Sequence, residues 1–436
     1  MHHPPLVLHV SLTVGADRHG KHSLVPVSPT YHVPGATFTE REHSVPLDHA
    51  APDGPRITIF TREVAAPDGK ERPYLLFLQG GPGMEATRPT SPPEGWMKRA
   101  IADYRVLLLD QRGVGRSTPV GRRIPGADAM AQAEYLTHFR ADSIVRDAEL
   151  IRAELGGERW SVLGQSFGGF TSMTYLSIAP DGLREALITG GLSPISRSAN
   201  DIYGATWRRV LAKNEAYFER YPDDRNRARD IFERLEREDV RLPNGDRLTA
   251  RRFRQLGLWL GDSAGFEHLH HVLELPFGSP AFLWDAEKGA AHFARNPIYA
   301  TLHESSYADG VATRWSAARL EPPEIAERGY FTAEHVFPWM WQDYGWLHDH
   351  AEAAEILANH PWPRLYDADV LRRNEVPVAA TIYINDLYVE RTFAQETAET
   401  IGGLKAWVTD EFEHNGLRAD GERVLGTLLD MVRGRA

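Results

Sequence analysis

Cysteine is absent from the 436 residues. That removes disulfides, zinc–thiolate sites, iron–sulfur clusters and any cysteine nucleophile, while leaving the compartment unfixed. Long apolar runs are absent too: nothing approaches the roughly 20 residues needed to span a bilayer. The opening MHHPPLVLHVSLTVGADRHG carries a short apolar patch but neither a Lys/Arg-rich start nor a small-residue cleavage site. It is expected to be an extension and not a signal peptide, with a cytoplasmic location as the default. Positive charge is in deficit, 49 Lys and Arg against 60 Asp and Glu, for a formal net charge of −11. This argues against nucleic acid and against an anionic membrane as partners, and it leaves room for an acidic pocket that would welcome a cation.

What remains is ordinary globular composition, 42% hydrophobic and 25% charged. The length asks for a main domain plus a second domain or a large insertion. Paired strands are expected from Thr37 onward in FTEREHSVPLDH, RITIFTREVAA and PYLLFLQGGPG. YRVLLLDQRGVGRS reads as a strand ending at Asp110 and a glycine-bearing turn. In ADSIVRDAELIRAELGG, Ile144, Ala148, Ile151 and Leu155 fall at helical spacing before a glycine stop at Gly156. RWSVLG, FGGFTSMTYLSIAP and REALITGG then read strand, helix, strand. Such alternation predicts an α/β protein with a mostly parallel sheet covered by helices on both faces.

The texture changes near Leu192. Amphipathic charged segments such as RNRARDIFERLERE follow, and eight of the eleven tryptophans lie between there and about Leu371. A mainly helical insertion is expected, with core packing as the reading for most of those aromatics. The strand–loop texture returns in VPVAATIYINDLYV and LKAWVTDEFEHNG. A last helix puts Val424, Leu425, Leu428, Leu429 and Val432 on one face. The expected boundaries are an extension over 1–35, a first core part over 36–192, a helical cap over 193–370 and a second core part over 371–436.

Gly164-Gln165-Ser166-Phe167-Gly168 matches G-x-S-x-G between an expected strand and an expected helix, the context of a nucleophile elbow. A serine hydroxyl needs a base to take its proton. In a hydrolase of this architecture an acid and then a histidine follow the serine, each on a loop after a strand. Asp386 follows AATIYIN, and His414 lies in EFEHNG between the last strand and the last helix. Asp410, Glu411 and Glu413 are too close to His414 in sequence to come from the preceding strand's loop, and Asp367 and Asp369 precede their strand. The N–H of Phe167 is one expected oxyanion donor. A second is expected from LFLQGGPG, where Gly80, Gly81 and Gly83 allow close backbone approach. DQRGVGRS lacks the third glycine of a dinucleotide fingerprint. HLHH at 268–271 and HDH at 348–350 lack metal-ligand spacing, so neither metal nor cofactor is expected.

Taken together, QGGPG (79–83), DQRGVGRS (110–117), GQSFGG (164–169), ND (385–386) and EHNG (413–416) resemble the proline iminopeptidases, serine peptidases of the α/β-hydrolase superfamily. The likeness runs from about residue 37 to the end and is closest to the longer-chain branch with a large helical cap. It implies an α/β-hydrolase fold with an inserted cap, and release of an N-terminal proline from a peptide. Ser166 would be the nucleophile, Asp386 the acid, His414 the base, and the N–H groups of Gly81 and Phe167 the oxyanion donors. Acidic cap residues would hold the substrate's free amino group, with Glu304, Glu274 and Glu267 as candidates; Arg197, Tyr203 and Phe167 could line the proline pocket. The chain departs from the pattern at Gln79, where many members carry histidine, a side chain expected to support the loop. The rival expectations are a broader aminopeptidase, esterase or amidase on the same triad, and a non-catalytic binding protein that kept the fold. Epoxide hydrolases and dehalogenases use a carboxylate where this chain has Ser166.

Overall fold

In a computed structural model of the chain, the described residues are 15–16, 22–23, 29–90, 92–121, 124 and 126–435. A nine-stranded sheet organises them. In chain order its strands are β1 (Thr30–Val33), β2 (Ala36–Pro46), β3 (Arg56–Ala65), β4 (Tyr74–Leu78), β5 (Arg105–Asp110), β6 (Trp160–Gln165), β7 (Leu183–Thr189), β8 (Val378–Tyr383) and β9 (Leu404–Thr409). Across the sheet the order is β9-β8-β7-β6-β4-β5-β3-β2-β1. The strands from β9 to β5 run parallel to their neighbours. β3, β2 and β1 form an antiparallel edge. The expected extension over 1–35 falls largely outside the described residues; of it, Thr30–Val33 form the edge strand.

The parallel strands read as continuous apolar runs because both faces are covered. β6 and β8 are buried at every position. Alternation still sorts their side chains. Leu76, Leu78, Val162, Ala186 and Ile188 join one core, while Leu75, Phe77, Leu163, Leu187 and Ala379 join the other. On the first side lie α2 (Ala141–Glu154), with Ile144, Ala148 and Ile151 facing the sheet, and α3 (Phe167–Ile178). On the second side lie the helix Gly95–Ile101 and the last helix, α9 below.

Between β7 and β8 the chain is mainly helical. α4 (Ala199–Arg220) opens with a capping box in which Ser198 and Asp201 each bond the other's backbone N–H. α5 (Asp224–Arg237) buries Ala228, Ile231, Phe232 and Leu235 and leaves its charges outward. α6 (Gly265–Glu274), α7 (Pro297–Leu302) and several shorter turns follow. Trp207, Trp341 and Trp362 are buried here, as the packing reading expects. Trp284 and Trp346 are exposed, and Trp259 turns toward a cavity. The chain then returns to the sheet through β8, α8 (Arg391–Thr400), β9 and α9 (Gly421–Val432). α9 buries Val424, Leu425, Leu428 and Leu429, with Val432 packed partly against them. Among the described residues, no helix is long and apolar enough to cross a membrane.

Candidate active site

β6 ends at Gln165 and α3 begins at Phe167, so Ser166 alone makes the turn. Its backbone sits at φ 55° and ψ −124°, a region L residues rarely occupy. Such a conformation costs on the order of 1–3 kcal/mol and persists only where surroundings impose it. Here the Ser166 N–H donates to the Thr189 carbonyl at 3.0 Å and the Ser166 carbonyl accepts from Gly169 N at 2.7 Å. Gly168 shows why the motif needs glycine: a β-carbon there would lie 1.8 Å from the Leu78 carbonyl oxygen. The missing side chain lets the end of β4 press against the start of α3. The loop after β4 thereby meets the serine, and a β-carbon on Gly80 would come 3.0 Å from that of Ser166.

That loop is held from behind by the segment DQRGVGRS. Gln111 Nε2 donates to the Gln79 carbonyl at 2.9 Å. Asp110 accepts from the N–H groups of Ala86, at 3.2 Å, and Arg116, at 2.9 Å. Arg112 is buried and bidentate to Asp147, at 2.7 and 2.6 Å. The motif is therefore scaffolding for the glycine loop. Gly80 and Gly81 line the cavity above Ser166, and Phe167 N begins α3, where the helix dipole favours negative charge.

Asp386 lies on the loop after β8 and His414 on the loop after β9. His414 Nδ1 donates to Asp386 Oδ2 at 2.8 Å. A carboxylate only accepts, so the neutral ring carries its proton on Nδ1 and presents a bare Nε2. Asp386 Oδ1 accepts from the N–H groups of Tyr388, at 2.8 Å, and Val389, at 2.9 Å. The Tyr388 ring stands edge-on to His414 with centroids 4.9 Å apart. Burial works against charging His414, but the charge and hydrogen bond of Asp386 outweigh it and hold its pKa above the usual histidine value. The rival acids are engaged elsewhere: Glu413 pairs with Lys213, Glu411 with Arg423, and Asp367 caps a helical turn.

Ser166 and His414 line one cavity of about 360 Å³. Its wall includes two carboxylates, Glu334 and Asp262, and one guanidinium, Arg418. None of the six cap and pocket residues expected from the sequence, Phe167 included, is on that wall. Glu304 is buried with its carboxylate accepting from Ser316 N and Ala317 N, at 3.2 and 2.9 Å, and faces a separate small pocket. Glu267 pairs with Arg220, and Glu274 with His270 at 3.4 Å. Arg197 is bidentate to Glu396 at the surface. Tyr203 is buried edge-on to Tyr307. Sequence reasoning missed all three charged wall residues, Asp262, Arg418 and Glu334; Glu334 accepts from the Tyr299 hydroxyl. The only sequence signal of Glu334 is an acid set in an apolar, aromatic stretch, FTAEHVFPW. No group of three His, Cys, Asp or Glu suited to a metal occurs among the described residues.

Residues 73–286 match the family model described as the alpha/beta hydrolase fold. Over 406 residues, 89% of this chain and 95% of the relative, the sequence is 48% identical to a proline iminopeptidase of Aeromonas sobria. Over 432 residues, 92% of this chain and 95% of the relative, it is 33% identical to a proline iminopeptidase of Aspergillus aculeatus. Among solved structures, a proline iminopeptidase of Mycobacterium smegmatis aligns over 91% of this chain and 98% of its own, at 15% identity and a TM-score of 0.46.

Proposed function

Because this chain belongs to the proline iminopeptidase family of the α/β-hydrolase superfamily, we propose that it releases N-terminal proline from peptides by covalent catalysis at Ser166. The observation that carries the chemical part is the buried His414–Asp386 pair, whose histidine lines one cavity with a serine on a strained strand–helix turn.

His414 Nε2 takes the proton of Ser166 Oγ as the oxygen attacks the prolyl carbonyl, and Asp386 holds the resulting imidazolium in place. The N–H groups of Gly81 and Phe167 meet the developing oxyanion, a contribution worth about 10²–10³ in rate for a single donor. His414 then gives its proton to the leaving amine, which departs and leaves a prolyl ester on Ser166. Water, deprotonated by the same histidine, hydrolyses that ester to free proline. The segment over 193–370 acts as the cap that closes this cavity. From it, Glu334 receives the substrate's secondary ammonium, with Tyr299 fixing the carboxylate. Glu304, Glu267 and Glu274 keep structural partners in this reading.

The test is hydrolysis of matched chromogenic amides of Pro, Ala, Leu and N-acetyl-Pro by the wild type and by Ser166→Ala. Fast cleavage of the prolyl amide alone, lost by about a millionfold in turnover on Ser166→Ala, is the expected result. Equal cleavage of the N-acetylated substrate would remove the ammonium site and leave a general serine hydrolase.

A further inference from the structure

We propose that Arg418 binds the C-terminal carboxylate of the leaving residue, so that the enzyme favours dipeptides with proline first and a free carboxylate second. The inference rests on the prolyl-releasing reading above and names its substrate class.

Arg418 shares the cavity wall with Ser166, His414 and Glu334. It lies in the turn Gly416–Ala419, four residues beyond His414 on the same loop. His414 must hand its proton to the leaving nitrogen, so the residue attached to that nitrogen comes within reach of a long side chain on this loop. The cavity, about 360 Å³, is at the small end of the usual range for ligand sites, a size suited to a short peptide. Its charges are of both signs. Glu334 favours and Arg418 disfavours the protonated form of His414, so opposite charges act on the base from within this cavity. A zwitterion spanning them would meet Glu334 with its ammonium and Arg418 with its carboxylate.

Arg418 Nη2 donates to Asp262 Oδ1 at 2.7 Å. A guanidinium has five N–H donors, so this one bond orients the group and leaves others for a second carboxylate. The side chain is 57% exposed and that of Asp262 36%, and an ion pair so exposed adds little stability of its own. The competing role is a clip. The strap 261–263 already bonds the histidine loop, through His414 N to the Gly261 carbonyl at 3.1 Å and Ser263 Oγ to Asn415 Oδ1 at 2.8 Å. Arg418–Asp262 could merely reinforce it.

The two roles separate in the ratio of kcat/KM for Pro-Ala to that for Pro-Ala-amide, measured within each enzyme. The expected ratio is about fivefold in favour of the free acid in the wild type, set mainly by KM and shrinking with added salt. It should fall to about one in Arg418→Gln, recover partly in Arg418→Lys and persist in Asp262→Asn. A wild-type ratio of one, or a ratio retained in Arg418→Gln, overturns the proposal. So does equal impairment of Arg418→Gln and Asp262→Asn with unchanged ratios, which is the clip's signature. Should Arg418→Gln not fold, the salt dependence and the Arg418→Lys ratio distinguish the two roles in the same way. Cleavage of prolyl p-nitroanilide alongside a ratio of one overturns this inference alone. Failure to cleave any prolyl substrate overturns the parent reading with it.

Discussion

Replacing Asp386 by asparagine should disable the enzyme without changing its shape. Asp386 Oδ1 already accepts from two backbone N–H groups, at 2.8 and 2.9 Å, and Oδ2 faces His414 Nδ1 at 2.8 Å. An asparagine has one carbonyl oxygen and one amide NH₂. Two fixed N–H donors on one side select the oxygen for that side. The NH₂ is then aimed at His414 Nδ1, which must accept, so the ring proton moves to Nε2. That nitrogen is where the Ser166 proton would have to be received. The expected loss in kcat is about 10⁴, the size that the same exchange of tautomer produces in a serine-protease triad, with KM little changed. A second readout has a definite sign. Asp386 is what keeps the His414 pKa above its usual value against the opposing effect of burial. A general base works only when neutral, so wild-type kcat/KM should fall as pH drops through that raised pKa. Removing the charge lets burial prevail, and the residual activity should lose its acid limb only at lower pH. Continuous release of p-nitroaniline from the prolyl substrate between about pH 5 and 9 measures both, with circular dichroism to verify the fold. A loss within tenfold, or an acid limb displaced upward, would refute the assignment. Glu413→Gln serves as the comparison: Glu413 is paired with Lys213 at 2.6 Å, and its loss should be far smaller.

Glu334→Gln should raise KM for prolyl amides by about ten- to a hundredfold, the worth of a charge-assisted hydrogen bond; steady-state kinetics read it. Tyr299→Phe, which removes only the hydroxyl that orients Glu334, should raise KM by less. Gly168→Ala should destabilise by several kcal/mol or abolish soluble expression, because a β-carbon 1.8 Å from the Leu78 carbonyl oxygen would force backbone apart; thermal denaturation checks it. Arg112→Met leaves the Asp147 carboxylate buried with, among the described residues, only His49 bonded to it, at 2.9 Å. It should cost about 3–5 kcal/mol in urea denaturation.

The sheet and the loops that carry the three proposed reacting groups were legible because the information that places them is local. Ser166, Asp386 and His414 each follow a strand by a few residues: the buried strands β6 and β8 end at Gln165 and Tyr383, and the edge strand β9, largely open to solvent, ends at Thr409. An apolar run announces β6 and β8, a shorter one broken by Lys405 announces β9, and the parallel order of the sheet brings the three loop ends to one edge. The last helix was legible for the same reason, since its apolar spacing is its packing face. DQRGVGRS was visible as a motif but not as a support. Only the fold shows Gln111 bonded to the Gln79 carbonyl and Arg112 buried against Asp147.

The cap follows a different logic. Its segments after α6 are short and joined by turns, so which acid reaches the cavity depends on long-range packing that no local pattern encodes. The resemblance offered Glu304 among its candidates, yet the Glu304 carboxylate is consumed by two backbone N–H groups at the start of a helical turn. Glu267 and Glu274 are likewise met by Arg220 and His270. A carboxylate already matched by protein donors has little left to offer a cation, because its charge is compensated before the substrate arrives. Glu334 differs in that its hydrogen-bond partner among the described residues is a neutral hydroxyl, Tyr299, and it faces the cavity. Its carboxylate is thus oriented but held in no ion pair among the described residues, which is the condition a site for an ammonium must meet. The useful criterion in such a cap is therefore the acid that faces the cavity and is met, among the described residues, by neither a cation nor backbone N–H groups. By that measure the free-amine requirement should disappear with Glu334→Gln and survive Glu304→Gln in any variant that still folds. Comparing the cleavage of Pro and N-acetyl-Pro amides in the two variants decides it, and the opposite pattern would return the ammonium site to Glu304.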